Sequence, residues 1–248
     1  MIHEKTRDPS GSRDQFDDLL NRDWKELFFD DCTGDWSDRW FLDGKKAVVS
    51  NSEKGMEFSA GPVFKDDACH GVLWAKEYTQ GDLRIDYEYT RTDTENRCVN
   101  ILYIQATGSG EDPYSKDITE WSSLREVPAM KAYFGHMNAF HVSYAAFTNT
   151  EEQDPGYIRA RRYMASGLQG TGLQPDYDPG GLFGTGVPHR ITAVKSGDHI
   201  YFCVDSPDDS LLCHWHNTGF PPITEGRIGL RHMFTRSARY RNFRISSA

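Results

Sequence analysis

Asp82-Leu83-Arg84-Ile85-Asp86-Tyr87-Glu88-Tyr89 alternates between charged and apolar residues without a break. Because successive side chains of an extended strand point to opposite faces, the four apolar residues share one face and the charged residues share the other. This pattern predicts a strand with one buried and one solvent-facing side. Such strands are typical of antiparallel sheets that cover a core with a single face.

Short strands of the same kind recur along the chain and are separated by turns. A hairpin is predicted where residues 189–194 and 199–204 flank Ser196-Gly197-Asp198. Further strands are predicted at 71–74, 99–104, 226–231 and 238–245. Periodicity is lost from Gly108 to Lys131, and long irregular inserts in compact domains are often functional. Many short strands and few helices predict an all-β fold, an antiparallel sandwich.

The first 28 residues are polar and contain one candidate helix. Ser12 is predicted to cap a short helix that runs through Phe16, Leu19 and Leu20. We therefore expect residues 1–28 to form an N-terminal extension with a short helix, and residues 29–248 to form a single sandwich domain.

Composition excludes several classes of function. The formal net charge of the 248 residues is -9, which disfavours nonspecific nucleic-acid binding, since that requires a basic face. No apolar run is long enough to span a membrane, and the N-terminus lacks a secretory signal pattern. Five widely spaced cysteines predict free thiols in a reducing compartment. We expect a cytoplasmic protein (periplasmic if a signal was removed), a monomer or homodimer, with no metal or cofactor.

The residues from Tyr133 to Tyr144 are rich in groups that exchange protons or hydrogen bonds: His136, Asn138, His141, Ser143 and Tyr144. A regular strand would place Asn138 and Tyr144 on one face, and His141 with Ser143 on the other. A bulge or a turn just before His141 would bring His136, Asn138 and His141 to a common side. This stretch indicates a polar ligand site, with a core histidine among packed aromatic residues as the alternative.

The order of these landmarks resembles that of the YesU-like family, a bacterial group known as a domain of unknown function. The resemblance covers the chain from about Asp30 to the C-terminus. It is carried by four elements: residues 70–74, the turn 110–112, the stretch 138–144, and residues 226–233 followed by 240–243. It implies a concanavalin A-like jelly roll and a place in gene clusters that degrade uronate-containing polysaccharides such as rhamnogalacturonan or ulvan.

A related jelly-roll class is associated with β-elimination at uronates, so the resemblance implies a carbon–oxygen lyase or dehydratase that acts on oligosaccharides. Elimination needs a base at C5, an acid at the C4 oxygen and donors at the carboxylate. Tyr144 or His141 is suited as base and His136 or a second tyrosine as acid. The predicted substrate-binding residues are His70, Trp74, Asn138, Arg159, Arg161 and Arg231, with Arg162 an alternative clamp. We expect these side chains to surround one sugar-sized hollow.

Two other functions fit the same sequence. A glycoside hydrolase needs two carboxylates beside the scissile bond, and Asp86-Tyr87-Glu88 is the nearest approximation. A lectin-like module would use the sandwich, the aromatic residues and the polar loops to bind an oligosaccharide without chemistry. Both remain alternatives to elimination, because fold alone does not determine function.

Overall fold

The computed structural model describes residues 5–6, 11–148 and 156–248. The strands are β1 Lys5–Thr6, β2 Lys25–Asp30, β3 Trp40–Asp43, β4 Val48–Ser52, β5 Gly55–Ser59, β6 Gly71–Gln80, β7 Leu83–Arg91, β8 Asn100–Gly108, β9 Met137–Ala146, β10 Tyr157–Met164, β11 Gly172–Tyr177, β12 Pro188–Ser196, β13 His199–Asp205, β14 Ser210–His216, β15 Glu225–His232 and β16 Ser237–Ser247. The α-helices are α1 Ser12–Leu20, α2 Trp36–Arg39 and α3 Met130–Phe134, and 3-10 helices cover Asp67–Cys69 and Ile118–Arg125.

Two sheets pack face to face. Sheet A has the order β1-β11-β10-β9-β8-β15-β6-β3, and sheet B has the order β14-β13-β12-β7-β16-β5-β4, with β2 also paired to β16. β1 is parallel to β11, whereas β8 with β15 and β7 with β16 are antiparallel. Strands far apart in the chain are therefore neighbours, and the fold is the predicted jelly-roll sandwich.

β7 shows the alternation that the sequence predicts. Leu83, Ile85, Tyr87 and Tyr89 are buried between the sheets, while the charged residues between them face outward. The inner layer continues through apolar residues of both sheets, including Phe58, Leu73, Leu102, Phe140, Val142, Ile191, Phe202, Leu230 and Ile245. Burial of this apolar surface is the main favourable contribution to folding.

A second apolar layer lies on the outer face of sheet A. It joins Val72, Trp74, Ile101 and Tyr103 of the sheet to side chains of the segment between β8 and β9, including Ile118, Trp121 and Tyr133. We call that segment, residues 109–136, the insert. It corresponds to the stretch where sequence periodicity is lost, and its packing closes one face of the sandwich.

The N-terminal segment belongs to the fold more closely than the sequence predicts. The helix forms at Ser12–Leu20 as predicted, but the Ser12 hydroxyl bonds His214 Nδ1 at 2.8 Å and does not cap the helix. The predicted boundary after residue 28 falls inside β2, which pairs with β16. Sequence reasoning missed β2 because its partner lies more than 200 residues away.

All five cysteines lie in the described part of the chain, are buried and form no disulfide, as predicted. Cys203 stands opposite Leu212 rather than Cys213, so the two hairpin thiols point to different faces. Among the described residues, no helix is both long and apolar enough to cross a membrane.

Candidate functional site

The outer face of sheet A carries a band of polar and aromatic side chains. Strand register places His141 of β9 between Arg161 of β10 and Tyr103 of β8. Tyr103 in turn stands opposite Gly229 of β15, which stands opposite Trp74 of β6. Directly paired residues of an antiparallel sheet share a face, so this row forms one continuous surface.

His141 is the centre of a hydrogen-bonded chain. Its Nδ1 lies 2.6 Å from the Tyr163 hydroxyl and its Nε2 lies 2.6 Å from the Ser143 hydroxyl. Burial lowers the pKa of His141 well below its usual value, and the nearby guanidinium groups of Arg161 and Arg231 lower it further. The imidazole is therefore neutral near pH 7, with one nitrogen able to accept a proton.

Arg231 lies on the same face and is fully buried. Its Nη2 donates to the Pro128 carbonyl oxygen at 2.6 Å, and its Cζ lies 4.3 Å from the Tyr133 ring centroid. Its Nε and Nη1 have no hydrogen-bond partner among the described residues, and neither does the Tyr103 hydroxyl. Burial of a guanidinium without a counter-ion lowers the stability of the fold. This position therefore suits an anionic group that accepts hydrogen bonds from the unused donors.

His70 adds a further buried polar group near Arg231. Neither of its ring nitrogens has a hydrogen-bond partner within the part of the chain that the structure describes, although Asp67 Oδ1 lies 3.5 Å from Nε2. Burial lowers the pKa of His70 to about 2, and the positive charge of Arg231 contributes to that shift. His70 is thus a neutral group beside the guanidinium.

The insert is attached to sheet A by a buried ion pair. Arg125 Nε lies 2.5 Å from Asp43 Oδ2, which also accepts from Trp74 Nε1 at 2.7 Å and from the Tyr133 hydroxyl at 3.0 Å. Burial raises the pKa of Asp43, whereas the Arg125 charge and the three hydrogen bonds oppose that shift. Because Arg125 and Tyr133 belong to the insert, this cluster holds the insert over Arg231.

The polar band reaches solvent on the β10–β11 side. A shallow pocket of about 240 Å³ is lined by Arg159, Arg161, Gly172 and Gln174. Arg159 pairs with Asp176, whereas the Arg161 guanidinium has no hydrogen bond or ion pair among the described residues. Arg161 stands opposite His141 in the sheet, so the pocket lies next to the buried hydrogen-bonded chain around His141.

The three predicted catalytic residues do not come together. His136 precedes β9 and stacks on Tyr114 of the insert at a centroid distance of 3.7 Å. Tyr144 faces the core between the sheets, where its hydroxyl lies 3.4 Å from that of Tyr240. Only His141 of the three lies on the outer face of sheet A. The prediction of one hollow around His136, His141 and Tyr144 is therefore wrong.

The reason is the regularity of β9. Between Asn138 and Ser143 its pairing with β10 runs without a shift, so strict alternation holds. The irregularity lies instead on β8, between Ile104 and Thr107. Asn138 consequently stays on the face of Tyr144, where its amide contacts the Gly108 carbonyl oxygen at 3.4 Å. The predicted bulge before His141 is absent from β9, all of which is described.

Trp74 does not line an open groove, as a substrate-binding residue would. It is fully buried, donates to Asp43 and stacks on Tyr103 at a centroid distance of 5.4 Å. A Cβ on Gly229 would lie 2.4 Å from Trp74 Cε3, so the indole occupies the space that a side chain would need. Trp74 therefore supports the floor of the site rather than lining an open groove.

Arg231 and His232 point in opposite directions, as alternation requires. Arg231 faces the insert, while His232 faces the core, stacks on Phe58 and bonds the Tyr240 hydroxyl at 2.7 Å. Sequence reasoning missed Tyr103 and Tyr163. Tyr163 follows Arg161 by two residues, so the two side chains share a face of an extended strand, and this spacing was the available signal.

Comparison with known proteins shows the family of this chain. The family model described as a domain of unknown function (DUF1961) matches residues 31–245. The chain belongs to this DUF1961 family. The uncharacterized protein YesU of Bacillus subtilis (strain 168) is 24% identical over 186 residues, which are 73% of this chain and 79% of YesU.

Solved structures of other proteins share the fold of this chain. A Bacillus subtilis protein of unknown function with a galectin-like fold superposes with a TM-score of 0.67 and 21% identity, covering 90% of this chain and 97% of that one. Lectin II from Ulex europaeus gives a TM-score of 0.57 and 9% identity, covering 89% and 98%. At these identities the likeness establishes the sandwich architecture alone.

Proposed function

We propose that the outer face of sheet A binds an acidic saccharide whose carboxylate pairs with Arg231. The observation that carries this proposal is the fully buried Arg231 guanidinium, whose Nε and Nη1 have no partner in the described residues. A carboxylate accepts two parallel hydrogen bonds from neighbouring guanidinium nitrogens, and once Nη2 leaves the Pro128 carbonyl oxygen, Nε and Nη2 form such a pair of donors. The Tyr103 hydroxyl and the His70 ring nitrogens are available for hydrogen bonds with sugar hydroxyls.

The sandwich itself supports a saccharide as ligand. Among the proteins that share this fold, lectin UEA-II has been solved in complex with galactose, at a TM-score of 0.56 and 10% identity. That property is the lectin's, and in the present chain the insert covers the polar band of sheet A. Because Arg231 is buried beneath the insert, binding requires the Pro128 carbonyl to release Arg231 Nη2.

We propose elimination as the chemistry at this site. His141 takes the C5 proton, while the C4–O bond breaks and a C4–C5 double bond forms. Burial raises the pKa of both Tyr103 and Tyr163, so each holds its proton near pH 7, and one of them gives its proton to the departing oxygen. Arg231 would stabilise the negative charge that develops on the carboxylate.

The test separates binding from turnover. Pectic and ulvan oligosaccharides are titrated by calorimetry beside the same oligosaccharides with their carboxyl groups reduced. We expect binding to the acidic forms alone, and an at least tenfold loss in Arg231→Met, equivalent to about 1.4 kcal/mol. Arg239→Met, on the outer face of sheet B, serves as the matched control and should bind normally.

Turnover is read from the same mixtures by absorbance of an unsaturated uronate and by mass. A loss of one water identifies a dehydratase, and chain cleavage with an unsaturated end identifies a lyase. His141→Ala should abolish either signal while Arg239→Met retains it. Tight binding without product would indicate a lectin-like protein without catalytic activity. Equal binding of acidic and carboxyl-reduced ligands would contradict the role of Arg231.

A further inference from the structure

A groove of about 460 Å³ crosses the outer face of sheet B, on the opposite side of the sandwich from His141. Its lining includes Trp24, Asp86, Glu88, Arg190, Asn242 and Arg244. The volume falls within the range of about 300–1,000 Å³ that is usual for small-molecule sites. Asp86 and Glu88 are the pair of carboxylates that the sequence places two residues apart on β7.

The floor of the groove is shaped by a bulge in β16. Pairing with β7 shifts between Arg241, opposite Glu88, and Arg244, opposite Asp86. Asn242 adopts the left-handed conformation there, with φ 49°. Its side chain points outward, and Nδ2 donates to Glu88 Oε1 at 2.7 Å. Bulges and left-handed residues other than glycine are uncommon and often direct side chains at functional sites.

Asp86 is held rigidly. Its carboxylate accepts from Arg84 Nε at 2.7 Å and Nη2 at 3.1 Å, and from the Thr192 hydroxyl at 2.9 Å. These donors occupy the Asp86 carboxylate, which disfavours a role for Asp86 and Glu88 as a hydrolytic pair. Asp86 instead fixes the positions of its neighbours.

Other groups at the groove keep unused hydrogen-bonding capacity. Glu88 receives one hydrogen bond, from Asn242, in the described chain. Arg190 is 65% exposed and its Nη2 lies 4.0 Å from Asp86 Oδ1, so its donors have no hydrogen-bond acceptor among the described side chains. A carboxylate, an amide and a guanidinium side by side present the paired donors and acceptors that adjacent ring hydroxyls can use.

Trp24 forms a wall of the groove. Its Nε1 donates to the Leu19 carbonyl oxygen at 2.8 Å, and the Arg22 guanidinium carbon lies 5.3 Å from its ring centroid. The indole is half-buried against α1 and its orientation is fixed by these contacts. A fixed aromatic ring provides apolar contact area next to the polar floor.

Charges around the groove cancel. Arg84, Arg190 and Arg244 are balanced by Asp86, Glu88 and Glu26, the last of which lies 3.0 Å from Arg244. The groove therefore offers no net attraction to an anion or a cation. This distinguishes it from the face of sheet A, where Arg231 has no counter-ion within the described residues.

We propose that this groove is a second saccharide site, which binds an uncharged sugar residue. The sugar stacks against Trp24 and its neighbouring hydroxyls bond Glu88, Asn242 and Arg190. The site is independent of Arg231 and of any chemistry on sheet A. A ligand with both acidic and neutral residues would then meet the protein on two faces.

The probes are the methyl glycosides of glucose, galactose, mannose, xylose, rhamnose and fucose, together with lactose and cellobiose. Binding is followed by amide shifts of the isotope-labelled full chain. We expect at least one probe to bind in the range of about 1 mM and to shift amides of β7, β12 and β16. Glu88→Gln and Arg190→Ala should each weaken that binding about tenfold.

A control variant keeps the result interpretable. Glu57→Gln changes a surface carboxylate of β5 that pairs with Arg239 outside the groove, and it should leave binding unchanged. Equal thermal unfolding midpoints show that the variants are folded. Absence of binding by every probe, or binding that both groove variants retain, overturns the proposal.

Discussion

Arg231 of β15 donates to the carbonyl oxygen of Pro128 in the insert at 2.6 Å, and this single bond is the only hydrogen bond of its guanidinium within the described chain. The cation is buried, has unused donors and points at the face where His141, Tyr103 and Tyr163 meet. A position of this kind reduces stability in the absence of ligand, and such strain is common at binding sites.

Replacement of Arg231 by methionine should stabilise the protein while it removes ligand binding. Methionine retains apolar contact with Tyr133 and no longer buries an unpaired charge, so the free energy of unfolding should rise by about 1–3 kcal/mol. Urea denaturation measures the change. Arg227→Met on the same strand is the control, because Arg227 is paired with Asp117 at 2.8 Å and should lose stability. A less stable Arg231→Met would contradict this view of the site.

Removal of the Asp43 charge should loosen the insert. Asp43→Asn leaves the fully buried Arg125 without a counter-ion, which should lower the free energy of unfolding by about 3–5 kcal/mol. Hydrogen exchange should quicken first at amides of residues 118–134. Lys45→Ala breaks the exposed pair with Glu126 and should change stability by less than about 1 kcal/mol. Equal effects of the two variants would show that the buried pair does not hold the insert.

Acidification should destabilise the fold through its buried histidines. Burial lowers the pKa of His232 to about 3, whereas an unfolded histidine titrates near its ordinary value of 6.5. Between pH 6.5 and 3, His232 therefore binds a proton in the unfolded chain and stays neutral in the folded chain. The stability from neutral His232 is complete above pH 6.5 and is lost as the pH falls from 6.5 towards 3, at up to about 1.4 kcal/mol per pH unit.

The histidine effect is measured by denaturation at a series of pH values. His232→Gln removes the titrating group, so its unfolding free energy should depend less steeply on pH than that of the parent protein. A slope that is the same in both proteins would exclude His232 as a contributor.

Gly229 should tolerate no side chain. The Cβ of alanine would lie 2.4 Å from Trp74 Cε3, and Trp74 cannot move easily because it bonds Asp43 and stacks on Tyr103. We expect Gly229→Ala to cost about 1–3 kcal/mol of stability and to disturb the near-ultraviolet signal of tryptophan. Gly181→Ala meets open space and should be close to neutral. A neutral Gly229→Ala would show that the indole can reposition.

Local sequence pattern predicted the strands well because a strand's alternation is set by its own residues. The inward row of β7 and the opposite orientations of Arg231 and His232 follow from period two alone. The same rule correctly separated Asn138 and Tyr144 from His141 and Ser143. The error was to expect a bulge in β9 that would override the rule, because bulges depend on the partner strand, here β8.

Placement of the site could not be predicted in the same way. Nothing local to Arg231 indicates that Pro128, more than 100 residues earlier, would cover it, or that Tyr103 and Tyr163 would be its neighbours. Tryptophan is a residue type that often stacks on sugar rings, yet the hydrogen bond from Trp74 to Asp43 of β3 makes Trp74 part of the floor of the site. These are long-range pairings, and each depends on the order of strands in the sheet.

The sequence by itself determined that this chain is a β-sandwich and which side chains of each strand share a face, because those properties depend on neighbours two residues apart. Only the tertiary structure decided which faces are sealed. The insert folds over sheet A, leaves Arg231 with unused hydrogen-bond donors beneath it and holds His136 against Tyr114. Burial and charge pairing depend on residues that are distant in the chain and close in the fold, and the pattern within a single strand does not indicate those residues.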